Sequence, residues 1–321
     1  MADPRSGARG AARGVDDGAF VEVRGEPQWL ALRGDDRRNP PLLILPGPGV
    51  ALSGLAPWFA PWEAHFTLAH WDAPFAGATY GRNGPPADYG LDRLMLDAAA
   101  VAQTVLARGS HRRLIVLGSS GGSVIGLRLA RQRPDLVSAF VGTGQIVHWA
   151  RQEAQSYRLI LDRARAAGDV GSVAALERFG PPPWVDLEAD VLKGQLANAP
   201  TPLEAAALAA LGPTLAAAPP GGAWRAHGQP AHDVRAVATA AYARLKPELA
   251  AFDAWALGDF ATPLIFLPGA EDLHTPPGET EAFARQARAP RVVFDPLPGV
   301  GHASLFVRDL LLHHLLAALA G

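Results

Sequence analysis

Residues 114–126 read LIVLGSSGGSVIG, an apolar strand-like run that breaks at once into glycine and serine and then resumes as a helical pattern. Within it Gly118-Ser119-Ser120-Gly121-Gly122 forms a G-x-S-x-G arrangement. Such a turn between strand and helix thrusts a serine hydroxyl out above a sheet on strained backbone, and small residues two before and two after let the chain bend that sharply. The N–H of Gly121 then points to where an oxyanion would form. The flanking strand and helix raise the pattern above an ordinary glycine-rich loop. A phosphate-binding loop fits less well, because no lysine follows the glycines. Ser119 and Ser123 lack small residues at both required offsets.

Outward from this turn, short apolar runs alternate with helical stretches. Residues 42–45 (LLIL), 67–71, 139–141, 264–267 (LIFL) and 292–294 read as strands. Residues 91–108 carry apolar residues at helical spacing and end at Gly109, and a helix over 124–133 must stop before Pro134. The alternation predicts an α/β fold, a mostly parallel sheet flanked by helices. From His148 to about Leu257 the chain is alanine-rich, helical and broken by proline and glycine, with no strand run. We therefore expect a core over 19–145 and 258–321, interrupted by a helical cap over 146–257. Residues 1–18, opening MADPRSGARGAARG, read as a disordered tail without the apolar segment of a secretory signal.

A serine alone is a weak nucleophile and needs a base and an orienting acid. The run 264–267 leads into Pro268-Gly269-Ala270-Glu271-Asp272, and 292–294 leads into Leu297-Pro298-Gly299-Val300-Gly301-His302. Both loops follow late strands and so reach the same sheet edge as the serine. The order Ser120, Asp272, His302 is that of a hydrolase triad. Glu271 is the rival acid; His274, His313 and His314 are rival bases, the last two inside a terminal helix. A second oxyanion donor should come from Pro46-Gly47-Pro48-Gly49. Proline has no N–H, which leaves Gly47.

Composition narrows the class. The chain has 321 residues, 49% of them hydrophobic, a formal net charge of -2 and no cysteine. The hydrophobic share suffices for a large core. The balanced charge offers nothing to nucleic acid or an anionic membrane, and the lack of cysteine rules out disulfides, thiolate zinc sites and a cysteine nucleophile. No apolar run reaches the roughly 18 residues of a membrane span. The expectation is a soluble, cytoplasmic enzyme acting on a small molecule or short peptide, with no metal or organic cofactor.

The motifs together resemble the proline iminopeptidase-like branch of the α/β-hydrolases. The likeness rests on residues 118–147, including Gly142-Thr143-Gly144-Gln145, on Pro46-Gly47-Pro48-Gly49, on Trp71-Asp72 with Thr79-Tyr80-Gly81-Arg82-Asn83, and on the two late loops. It implies an aminopeptidase working through an acyl-enzyme. Two departures stand beside the oxyanion loop: Leu45 where that family has histidine, and Ala73 and Pro74 where it has glutamine and arginine. They keep an esterase, amidase or lactonase open, and a hydrolase fold reused for binding is the rival from outside enzymology. The family holds the substrate's free amine with acidic cap residues. Glu153 is the first candidate for that role here, and Glu177, Glu188 and Glu204 are others.

Overall fold

The computed structural model describes residues 14–184, 187–217 and 232–321. The chain enters as a hairpin, β1 (Val15–Val23) and β2 (Glu26–Gly34), joined by Arg24 and Gly25, both at positive φ. A two-residue loop of that conformation matches the twist of antiparallel strands. There follow β3 (Pro41–Leu45), β4 (Thr67–Asp72), α1 (Gly77–Asn83), α2 (Leu91–Ala107), β5 (Leu114–Ser119), α3 (Gly121–Gln132) and β6 (Val137–Thr143). Among the described residues five helices then intervene: α4 (Trp149–Ala166), α5 (Val170–Phe179), α6 (Leu187–Ala197), α7 (Pro202–Ala217) and α8 (Val234–Ala250). The sheet resumes with β7 (Leu264–Phe266), α9 (Pro277–Gln286), β8 (Val292–Phe294) and α10 (Arg308–Ala320).

The eight strands form one sheet in the order β1-β2-β4-β3-β5-β6-β7-β8. Pairs β1–β2 and β2–β4 are antiparallel, and all others are parallel. This is the α/β-hydrolase architecture. The central strands are buried on both faces, which explains their unbroken apolar runs. Leu43, Leu45, Leu114 and Val116 pack toward α2 and α3, while Leu42, Ile44, Ile115 and Leu117 pack toward α10 and the 3₁₀ segment Ser53–Ala64. Successive side chains on a strand alternate between faces, so each run serves both layers.

The expected disordered tail over 1–18 needs correction at its end. Residues 1–13 lie outside the described residues, but Val15 to Gly18 belong to β1. Backbone pairing with β2 holds them at the sheet edge. Asp16, Asp17 and Gly18 are exposed there, so this stretch shows no apolar alternation, although Val15, Val21 and Val23 of the same strand reach the core. Among the described residues no helix is long and apolar enough to cross a membrane.

Candidate active site

Ser120 sits between β5 and α3 with φ 54° and ψ −128°, a region that L-residues rarely occupy and that costs on the order of 1–3 kcal/mol. Its neighbours show why the turn needs glycine. A Cβ on Gly122 would lie 1.9 Å from the Leu45 carbonyl oxygen, and one on Gly118 2.6 Å from that of Gly122. A Cβ on Gly121 would lie 2.7 Å from Pro48 Cδ. The turn is thus wedged against the loop after β3. The Ser120 N–H donates to the Thr143 carbonyl at 3.1 Å. Ser123 braces the turn from below: its hydroxyl donates to the Ser120 carbonyl and accepts from the Ile146 N–H at 3.1 Å.

The two late loops pack backbone against backbone. A Cβ on Gly269 would lie 2.1 Å from the Gly301 carbonyl oxygen, and Gly269 bridges Leu297. That closeness brings Asp272 to His302. Asp272 Oδ2 lies 2.9 Å from His302 Nδ1, and His302 Nε2 lies 3.1 Å from Ser120 Oγ. Asp272 is 1% exposed. Its other contacts are N–H groups of His274 at 2.8 Å and Thr275 at 2.9 Å, and the Thr275 hydroxyl at 2.7 Å. Burial alone would raise its carboxyl, but the charge and hydrogen bond of His302 and the Thr275 bonds outweigh it and hold the group below its ordinary value. Glu271 is exposed. Gly144, at φ 53°, makes room for the base: a Cβ there would lie 3.0 Å from His302 Cε1.

Gly47 abuts the serine, since a Cβ on it would lie 3.7 Å from Ser120 Cβ. Neither the Gly47 nor the Gly121 N–H finds an acceptor among the described residues. Leu45 and Ala73 line a cavity of about 20 Å³ with Trp71, Tyr89, Leu94 and Ile125, behind the oxyanion loop. Leu45 and Ala73, two of the residues that depart from the pattern, therefore make this wall apolar. Beside it, burial pushes the Asp72 carboxyl up to about 6, against hydrogen bonds from the Ala78 N–H and Ser53 hydroxyl.

The inserted helices bring charges to the same edge. Glu153, on α4, accepts from Lys193 Nζ, on α6, at 2.7 Å, and both are buried. Lys193 also reaches the His274 carbonyl at 3.3 Å. The His274 ring lies 4.5 Å from that of His302. Burial, then the charges of Lys193 and His302, press the His274 pKa well below its usual value. Glu177 and Glu188 pair with Arg165 and Arg178 on the outer surface. Glu204 lies instead at the His302 loop. His314, on α10, contacts Asp295 just after β8, and the His313 ring lies edge-on to it. Sequence reasoning missed Thr275, Gly144 and Lys193. Gly144 lay inside a quoted motif without a role. A single lysine in an alanine- and leucine-rich helix carries no signal of burial. Among the described residues no group of three or more potential ligands could hold a metal ion.

No family model matches the chain. One curated relative, described as the probable aminopeptidase YbaC of Bacillus subtilis (strain 168), is 30% identical over 167 residues. The match spans 51% of this chain and 52% of that relative, about half the length of each. Among solved structures, the proline iminopeptidase-related protein TTHA1809 from Thermus thermophilus superposes with a TM-score of 0.62 at 19% identity, covering 95% of this chain and 98% of that one. Est816, described as an N-acyl homoserine lactone degrading enzyme, superposes with a TM-score of 0.54 at 17% identity, over 93% and 98% of the two chains. The α/β-hydrolase fold is thereby shared, and the resemblance to the proline iminopeptidase-like branch holds.

Proposed function

We propose that this chain is a serine hydrolase that works through an acyl-enzyme on Ser120. The observation that carries this is the unbroken line from Asp272 through His302 to the strained Ser120. Asp272 accepts from His302 Nδ1–H and fixes the tautomer, so that Nε2 takes the Ser120 proton as Oγ attacks a carbonyl carbon. The Gly121 and Gly47 N–H groups receive the oxyanion. His302 then protonates the leaving nitrogen or oxygen as its bond to carbon breaks. Water, deprotonated by the same imidazole, releases the acid and restores Ser120. Kinship with a probable aminopeptidase favours an aminoacyl substrate with a free amine.

A second reading has its own support. Glu153, the first candidate to hold such an amine, is already matched by Lys193. That pairing favours acyl groups without an amine, in esters, amides or lactones. Turnover of proline, alanine and leucine 4-nitroanilides, free and N-acetylated, alongside short 4-nitrophenyl esters, separates the two readings. Preference for free-amine anilides supports the peptidase; ester turnover alone supports the second reading. In either case Ser120→Ala should lose at least about 10³-fold in kcat. Activity that survives in Ser120→Ala would sink the acyl-enzyme itself.

A further inference from the structure

Glu204 is buried to 2% exposure, yet it has no place in the triad. It lies in the first turn of α7, and its own N–H donates to Thr201 Oγ1 at 3.3 Å. Its Oε2 accepts from the Thr201 N–H at 2.9 Å. These two bonds form the reciprocal capping box that commonly starts a helix. A capping box needs one carboxylate oxygen. Here Oε1 leaves the helix and accepts from the Ala303 N–H at 2.6 Å, a short contact of the charge-assisted kind. A Cβ on Gly301 would lie 2.8 Å from Oε2. The carboxylate therefore bonds the backbone just after His302, at Ala303, and lies close against Gly301 just before it.

We propose that Glu204 is a positioning residue for His302, tying the inserted helix α7 to the base-bearing loop and favouring the imidazolium that forms as Ser120 attacks. The inference rests on the acyl-enzyme reading. The His302 loop is packed through Gly301 against Gly269, and at the ring Asp272 binds Nδ1 while Thr275 stands 3.3 Å from the same atom; Glu204 adds a hold from the inserted helix, at the Ala303 N–H. The charged or titratable groups facing the imidazole are Asp272 at Nδ1, His274 against its ring with Lys193 behind, and Glu204 across the backbone of residues 301–303. Of the two carboxylates, Glu204 alone acts without touching the ring.

The test compares Glu204→Ala, Glu204→Gln and Thr201→Ala with wild type on 4-nitrophenyl acetate and proline 4-nitroanilide. Thr201→Ala removes the hydroxyl half of the capping box but keeps the backbone N–H that holds Glu204. We expect Glu204→Ala to lower kcat by about 10- to 100-fold with KM little changed, the scale of a small displacement of a catalytic group. Glu204→Gln, which keeps an oxygen for the Ala303 N–H, should recover most of it. Thr201→Ala should keep near-wild-type kcat although its Tm falls. Both Glu204 variants remove a negative charge near His302, so the acid limb of kcat/KM should move to lower pH. His302 titration by NMR on a Ser120→Ala background reads the same shift without turnover. The inference falls if Glu204→Ala keeps wild-type kcat, if Thr201→Ala loses as much, or if the His302 titration is unmoved in Glu204→Gln. Failure of the acyl-enzyme reading looks different: wild type would then match Ser120→Ala on every substrate, while the NMR arm still reports on Glu204.

Discussion

The loops at the sheet edge and the inserted helices above them are held by different physics. Around Ser120 the chain is fixed by close backbone approach: Gly122 against the Leu45 backbone, Gly269 against the Gly301 backbone, and Gly144 against the His302 ring. The insertion is held by ion pairs, Glu153 with Lys193 and Asp190 with Lys246, and by a modest apolar cluster of Tyr157, Ile160, Leu161, Leu176 and Ala197. Steric crowding leaves no alternative to glycine and so writes itself into the sequence. A charge pair can be moved, swapped or replaced by apolar residues of similar volume, and leaves little trace. The proposed triad lies where substitution is forbidden, and the insertion lies where it is tolerated.

The largest effect that tests this contrast is at Asp272. Asp272→Asn keeps the shape but lets the amide turn an N–H toward His302, which selects the wrong tautomer. We expect kcat to fall by about 10³- to 10⁴-fold with little change in KM, measured on any substrate that Ser120 turns over. The same group also sets an acid limit. Its folded pKa is held below the unfolded value, so its stabilising contribution is present above about pH 4 and is lost as pH falls through the lower folded value. In urea titrations below pH 4, Asp272→Asn should lose this part of the wild type's slope with pH. An Asn variant with wild-type kcat would remove Asp272 from the mechanism.

How far these features can be read in advance follows the same division. The apolar runs of β3 to β7 are legible because both faces of those strands are buried, and β8, half-buried at the edge, is legible as a short apolar run. The elbow, the acid loop and the base loop were legible because their glycines stand at fixed offsets from Ser120, Asp272 and His302. The hairpin β1–β2 was not: Asp16, Asp17, Glu22 and Glu26 lie along it, and pairing at a sheet edge asks nothing apolar of them. Thr201-Pro202-Leu203-Glu204 spells a helix start, but the second oxygen of Glu204 has its partner 99 residues away. Lys193 is the extreme case, since its burial depends on Glu153, which is on another helix.

Breaking the pair in the insertion should give a smaller and more selective effect. Lys193→Met leaves Glu153 buried and unmatched, at a cost of about 3–5 kcal/mol. It also frees a carboxylate near His274. If the insertion sets substrate choice, the variant should turn over free-amine anilides with a KM about tenfold lower relative to their N-acetyl forms than wild type does, a difference of about 1.4 kcal/mol. The double variant Glu153→Leu/Lys193→Met should regain most of the stability and lose that preference. An unchanged ratio of free to N-acetylated substrate in both variants would take Glu153 out of substrate recognition.

The smallest effect belongs to the sheet itself and should touch stability alone. His70, on β4, is 1% exposed beside the Phe59 ring, and neither ring nitrogen has a hydrogen-bond partner among the described residues. Burial, and then the charge of Arg33, lower its pKa to about 3. The unfolded chain binds this proton near pH 6.5 and the folded chain does not. Stability from the neutral ring is therefore complete above that pH and is lost as pH falls toward 3, by about 1.4 kcal/mol per pH unit at most. His70→Leu removes the proton site and fills similar space. Its advantage in urea midpoint over wild type should grow between pH 6.5 and 4, while kcat at pH 8 stays unchanged. A pH-independent gap would mean that the ring is protonated or hydrated in the folded protein. A change in kcat would mean that β4 reaches the reaction more directly than its place behind the oxyanion loop implies.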